Sequence, residues 1–178
     1  HEPYRTLLGH FRHESGHYYW GVLIAEGGRL DSYREVFGDE SVDYQESLRR
    51  HYESGGCPAG WQDQHVSAYA TCHPWEDWAE TWAHYLHMVD LLETAADYRT
   101  RVCVPGAAGG EEQMEDPYAH EADDFDELVA QWVPLTLLLN SLNRSLGHED
   151  AYPFALSPAA QDKLRFVHDT IHAGTAGP

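Results

Sequence analysis

Positively charged side chains are scarce: 11 Lys and Arg stand against 30 Asp and Glu, a formal net charge of -19. Such a chain repels phosphate backbones and anionic membrane surfaces, which excludes nucleic acid and membranes as expected partners. Cysteine is also sparse. Cys57, Cys72 and Cys103 are odd in number, widely spaced and without a Cys-x-x-Cys pair, so they form neither a disulfide framework nor a cysteine zinc finger. A reducing, cytoplasmic setting is the expectation. Long apolar runs are missing too; the longest, around Val133 to Leu139, is broken by Pro134 and Thr136. No internal repeat and no β-hairpin signal is found. With 178 residues, 42% of them hydrophobic, the chain is expected to be one domain, 1–178.

What the chain does have is helical periodicity. A first helix is read over 9–25, with His13, His17, Trp20 and Ile24 on one stripe and Gly27-Gly28 as its stop. Asp31 is read as the cap of a short helix ended by Gly38, and residues 42–53 as a scaffold helix carrying Tyr44, Leu48 and Tyr52. Residues 53–64 are turn-rich, and 66–71 look extended or irregular. Pro74 opens a long helix through about Asp97 that buries Trp75, Trp78, Ala79, Trp82, Leu86 and Val89, with Glu76, Glu80, His84 and His87 on the adjacent stripe. Residues 104–124 combine Gly, Pro and acidic residues and read as an acidic loop. Helices over about 124–146, kinked near Pro134 and stopped by Gly147, and from Pro158 to about His172 complete the chain. The fold class expected is mainly α with little or no β.

Within the first helix, His13, Glu14 and His17 spell His-Glu-x-x-His. Residues four apart stack on one helix face, so both imidazoles can hold one metal ion, and Glu14, about 100° round the axis, can reach a metal-bound water without acting as a ligand. With 13 histidines in the chain the five letters can also arise from composition alone, so a third ligand has to decide. The third-histidine class would need Gly at 20 and His at 23, where the chain has Trp20 and Leu23. The remaining common solution is a glutamate from a second helix, and HPWEDWAE supplies Glu76, with Glu80 one turn later to accept a hydrogen bond from a ligating histidine. Both glutamates could instead be a solvated helix face. Their neighbours Trp75, Trp78 and Trp82 argue for burial. His65, His73, His84 and His87 are rival ligands, and Asp77 is the weaker carboxylate. Tyr69, seven residues before Glu76, offers a hydroxyl to an oxyanion or is simply a packed tyrosine.

The stretches GHFRHESGHYYW and SAYATCHPWEDWAETWAHYLHMVDLLETA, with PLTLLLNSLNRSLG and YPFALSPAAQDKLRFVHD, resemble a bacterial family of zinc-binding metallopeptidases. More distantly, Tyr69, Glu76, Ala79 and Glu80 are similar to the site of the glutamate-zincins, the anthrax lethal factor-like proteases in particular. The resemblance implies a zincin-like domain with one catalytic Zn²⁺ on His13, His17 and Glu76, Glu14 as base, Tyr69 as hydroxyl donor and a peptide or protein as substrate. Members of that family typically carry an additional N-terminal part, so an upstream segment is expected. Two alternatives stand beside it: a module that binds zinc without turnover, and a metal-free helical interaction domain whose histidines are structural.

Overall fold

Thr6 opens the first helix: its hydroxyl accepts a 3.0 Å hydrogen bond from the amide of Gly9, satisfying one of the donors a helix start leaves free. The computed structural model describes residues 6–104, 112–117, 124–152 and 156–175. Helix α1 spans Leu7–Tyr19 and continues as a π-helix over Trp20–Ala25. The expected helix is therefore present, but its last turns are wider, with Glu26 and Arg29 donating to the carbonyls five residues back, Gly21 and Ile24. Helix α2, Leu30–Phe37, ends at Gly38, whose φ of 96° is open to glycine. Asp31 lies in its first turn rather than capping it; the cap position is Arg29, which makes no side-chain cap bond. Helix α3, Tyr44–Glu53, is capped by Asp43, whose carboxylate accepts from the Glu46 amide.

Residues 66–71, read as extended or irregular, are irregular over 66–68 as expected and then enter a 3₁₀ turn over Tyr69–Cys72. His73 then folds its ring back to accept from the amide of Trp75, and Pro74 begins α4, which runs Pro74–Asp97 as expected. Later elements are α5, Phe125–Ser145, capped by Asp124, and α6, Pro158–Thr175, where Ser157 accepts from the Ala160 amide. Gly147, with φ of 81°, follows α5.

The chain divides into two compact units, His1–Leu86 with Ala155–Pro178, and His87–Phe154. The core of the first is aromatic: Tyr33 stacks on Phe37 at 5.1 Å, and Trp78, fully buried, meets Phe37 edge-on at 5.8 Å and Phe166 at 6.2 Å. Removing a ring as buried as Trp78 costs about 3–5 kcal/mol, so this cluster is what fixes α4 in place. Of the residues expected to be buried on α4, Trp78, Ala79, Trp82 and Val89 are, whereas Trp75 and Leu86 remain partly accessible.

In the second unit, Phe125, Leu128, Trp132 and Leu135 of α5 are buried. Trp132 meets Tyr152 edge-on at 4.9 Å, and the Asn140 amide clips both backbone groups of Tyr152 at 2.7 and 2.8 Å. A short antiparallel ladder, not expected from the sequence, pairs β1, Arg101–Val102, with β2, Glu112–Gln113. Met114 beside it is 2% exposed and its amide donates to Thr100, so this part of the acidic segment packs instead of forming open loop. Residues 105–111 and 118–123 of that segment lie outside the described residues. Among the described residues no helix is long and apolar enough to cross a membrane.

Candidate metal centre

α1 and α4 approach each other closely because Gly16 has no side chain. A Cβ there would lie 3.0 Å from the Ala79 Cα and 3.1 Å from Trp82 Cβ. Two indoles complete the junction: Trp78 donates to the Gly16 carbonyl at 2.8 Å, and Trp82 to the Ser15 hydroxyl at 3.1 Å. The two residues between Glu14 and His17 thus serve as the docking point that brings α4's carboxylates to the histidines.

Three heteroatoms converge there. The Nε2 atoms of His13 and His17 are 3.1 Å apart, and Glu76 Oε2 lies 3.1 Å from the first and 3.6 Å from the second. Glu76 is 2% exposed, and its Oε2 is buried without a hydrogen bond of good geometry. A buried carboxylate oxygen in that state needs a cation. In a tetrahedral site with ligand distances of about 2.0–2.1 Å, neighbouring donors stand about 3.3 Å apart, which matches this triangle. These residues could hold a metal ion, and they are the single such cluster among the described residues.

Around the triangle, neighbouring polar contacts act on orientation. His13 Nδ1 donates to Glu80 Oε1 at 2.6 Å, and Glu80 Oε2 accepts from the Ser67 hydroxyl at 2.5 Å, so the ring of His13 is turned to present Nε2. His17 lies on the face of Trp75, with ring centroids 3.9 Å apart. Tyr44 donates to Glu76 Oε1 at 2.8 Å, leaving Oε2 for the histidines. The hydroxyls of Tyr44 and Tyr69 are themselves hydrogen-bonded, and the Tyr69 ring is 6.1 Å from that of His13.

The charges follow from these contacts. Burial works against a charged His13, but Glu76 and Glu80 outweigh it and raise its pKa to about 9. Burial likewise opposes the Glu76 carboxylate, yet His13, His17 and Tyr44 hold it well below the usual range. Burial first, and then Glu76, push Tyr44 up to about 12 and Tyr69 upward too, so both hydroxyls keep their protons near neutrality. Without a metal, a proton on His13 is the cation the carboxylates hold.

The remaining sequence candidates fall elsewhere. Glu14 is exposed, its carboxylate 3.8 Å from His10 Nδ1. Asp77 is 1% exposed and faces away from the triangle, bonded by Lys163 Nζ at 2.6 Å with His65 Nδ1 at 3.1 Å. His73 shapes the start of α4 and lies 3.1 Å from the Val42 carbonyl; neither it nor His65 or His84 joins the cluster. Tyr44, expected to be scaffold, and Ser67 carry no signal of this role in the sequence; the first contacts a residue 32 positions away, a separation no local pattern carries.

Comparison with known proteins gives the family. Three mycobacterial proteins, one from Mycobacterium bovis and two from strains of Mycobacterium tuberculosis, each described as uncharacterized, are 50% identical over 171 residues. That alignment takes in 96% of this chain and 48% of each relative, so the chain spans about half the length of the curated relatives it matches. No solved structure matches. A family model described as "Putative zinc-binding metallo-peptidase" matches residues 1–170, and the chain belongs to that family.

Proposed function

We propose that the chain hydrolyses peptide bonds with one zinc ion held by His13, His17 and Glu76. The observation that carries this reading is the triangle of His13 Nε2, His17 Nε2 and the otherwise unsatisfied Glu76 Oε2, at the spacing of three corners of a tetrahedral site. Zinc, when bound at such a site, lowers the pKa of a water to about 7 and polarises a carbonyl oxygen.

The protein's own groups do the rest. Glu14, accessible and not a member of the ligand cluster, takes the proton of the attacking water and returns it to the leaving amine. Tyr69, kept protonated, turns its hydroxyl from Tyr44 to the carbonyl oxygen as charge builds on it. Glu80 and Ser67 keep the His13 ring fixed throughout.

Glu14→Gln tests the assignment. The variant should retain about one equivalent of zinc and lose chelator-sensitive digestion of a peptide library; undiminished cleavage would reject the mechanism. A zinc-holding module without turnover uses the same ligands, and the hydrogen bond that occupies Tyr69 favours it. In that case the wild type itself shows no metal-dependent cleavage.

A further inference from the structure

Beside the candidate metal centre, α3, the turn after it and the 3₁₀ segment border an open pocket of about 420 Å³, with Ser47, Arg50, His51, Ser54, Thr71 and Cys72 in its wall. In a chain with 30 acidic residues, no Asp or Glu lines it. Its polar groups are a guanidinium, an imidazole and hydroxyls; Ser54 and Thr71 already donate to the backbone carbonyls of His51 and Ala68, so Arg50, His51 and Ser47 are the donors it offers to an anion. Arg50 bonds Glu46 through Nε alone, at 2.9 Å, leaving both terminal nitrogens without a partner among the described residues. The nearby carboxylates are otherwise taken up: Glu46 also accepts from Arg49, and Glu53 accepts from Arg49 at 2.6 Å.

The pocket is one ring away from the proposed chemistry. His51 meets Tyr69 edge-on at 6.2 Å, and Thr71 Oγ1 is 3.3 Å from His51 Nδ1. Cys72 feels the charge of Glu76: burial and then that carboxylate push its thiol up to about 11, so it sits in the wall as a neutral, small group. The rings of His13, Tyr69 and His51 follow one another at 6.1 and 6.2 Å, a span that an extended peptide, advancing about 3.3–3.6 Å per residue, covers in about four residues.

We propose that this pocket is a substrate subsite that binds a carboxylate of the peptide, with Arg50 as its cation. The proposal rests on the hydrolytic reading for the word substrate, but not for the binding itself. A carboxylate can come from an acidic side chain or from the free C-terminus, and both present the planar pair of oxygens that a guanidinium grips with two hydrogen bonds. Neutral amide and aliphatic side chains of the same size lack that charge.

The test measures binding to the zinc-loaded Glu14→Gln protein by titration calorimetry, so that turnover plays no part. The probes are acetylated Ala/Leu octapeptides with one Glu at each position in turn, their Gln counterparts, and an all-neutral sequence ending in either a free acid or an amide. One Glu position, or the free acid over the amide, should bind at least about tenfold more tightly than its neutral twin, and Arg50→Gln should erase that difference. Glu46→Gln, which removes the charge Arg50 leans on, should leave the preference in place. Equal affinities across the set, no binding by any probe, or indifference to Arg50→Gln overturns the subsite. Whether the wild type then cleaves the peptide that binds is a separate readout, and its failure counts against hydrolysis alone.

Discussion

The Tyr44 hydroxyl donates a 2.8 Å hydrogen bond to Oε1 of Glu76, and Oε2 of the same carboxylate faces His13 and His17. One oxygen is held by the protein so that the other faces the two histidines, free to serve the metal of the proposed reading. On the proposed reading Tyr44 positions a ligand without being one. Tyr44→Phe keeps the ring against Trp75 and His73, 5.9 and 5.3 Å away, and removes only the hydroxyl. We expect zinc affinity to fall about 10–100-fold, measured by competition with a chromogenic chelator, while the thermal midpoint of the metal-free protein changes little. Unchanged affinity would mean that Glu76 needs no such anchor.

If the triangle binds zinc as proposed, a proton and the metal compete for it. Burial lowers and the two carboxylates raise the pKa of His13, the carboxylates winning, so the folded value is about 9 against 6.5 for an ordinary histidine. A raised folded pKa gives the metal-free protein stability that is full below about 6.5 and is lost as pH rises through about 9. Zinc must displace that proton. Between pH 6 and 8, binding should release about one proton from His13 and the apparent affinity should rise about tenfold per pH unit. Calorimetry in buffers of different ionisation enthalpy counts the protons; zero released would contradict the charge assignment.

At Gly16 two effects oppose each other. Alanine in a helix is worth about 1 kcal/mol over glycine. Here its Cβ would stand 3.0 Å from the Ala79 Cα, a backbone atom that cannot swing aside, and overpacking of that kind costs about 1–3 kcal/mol. The clash outweighs the gain in helix propensity. Gly16→Ala should lower stability by up to about 2 kcal/mol in urea titration and weaken zinc binding by spreading α1 from α4. A variant more stable than the wild type would show that the helices have room to part.

How much of the fold and the site is legible in the sequence depends on the range of the contact. The His13–His17 spacing and the start of α4 at Pro74 are visible because each is set within one or two helical turns. Glu80's bond to His13 can be anticipated because it lies one turn from Glu76 on the same face. Tyr44 cannot, since what places it is the packing of α3 on His73 and Trp75. The π turn at Trp20–Ala25 and the β1–β2 ladder escape for the same reason: apolar periodicity gives the existence of an element, and neighbours set its register.

One residue along from Glu76, Asp77 forms the buried ion pair with Lys163 that ties α4 to α6, 86 positions away in sequence. Lys163 also donates to the Gln64 carbonyl at 2.7 Å, so a single ammonium bridges three segments. The lysine and aspartate side chains are 8% and 2% exposed. At that depth the attraction and the loss of hydration nearly cancel, and removing one partner strands the other. Lys163→Met should therefore cost about 3–5 kcal/mol, with His65, 3.1 Å from the same carboxylate oxygen, as the remaining donor. Changing both partners, Asp77→Leu with Lys163→Met, should recover most of that loss. Urea titration of the two single variants and the double closes the cycle. A double variant no more stable than Lys163→Met alone would mean that the attraction exceeds the loss of hydration, and one as unstable as the sum of the singles would mean that the two side chains are not coupled at all.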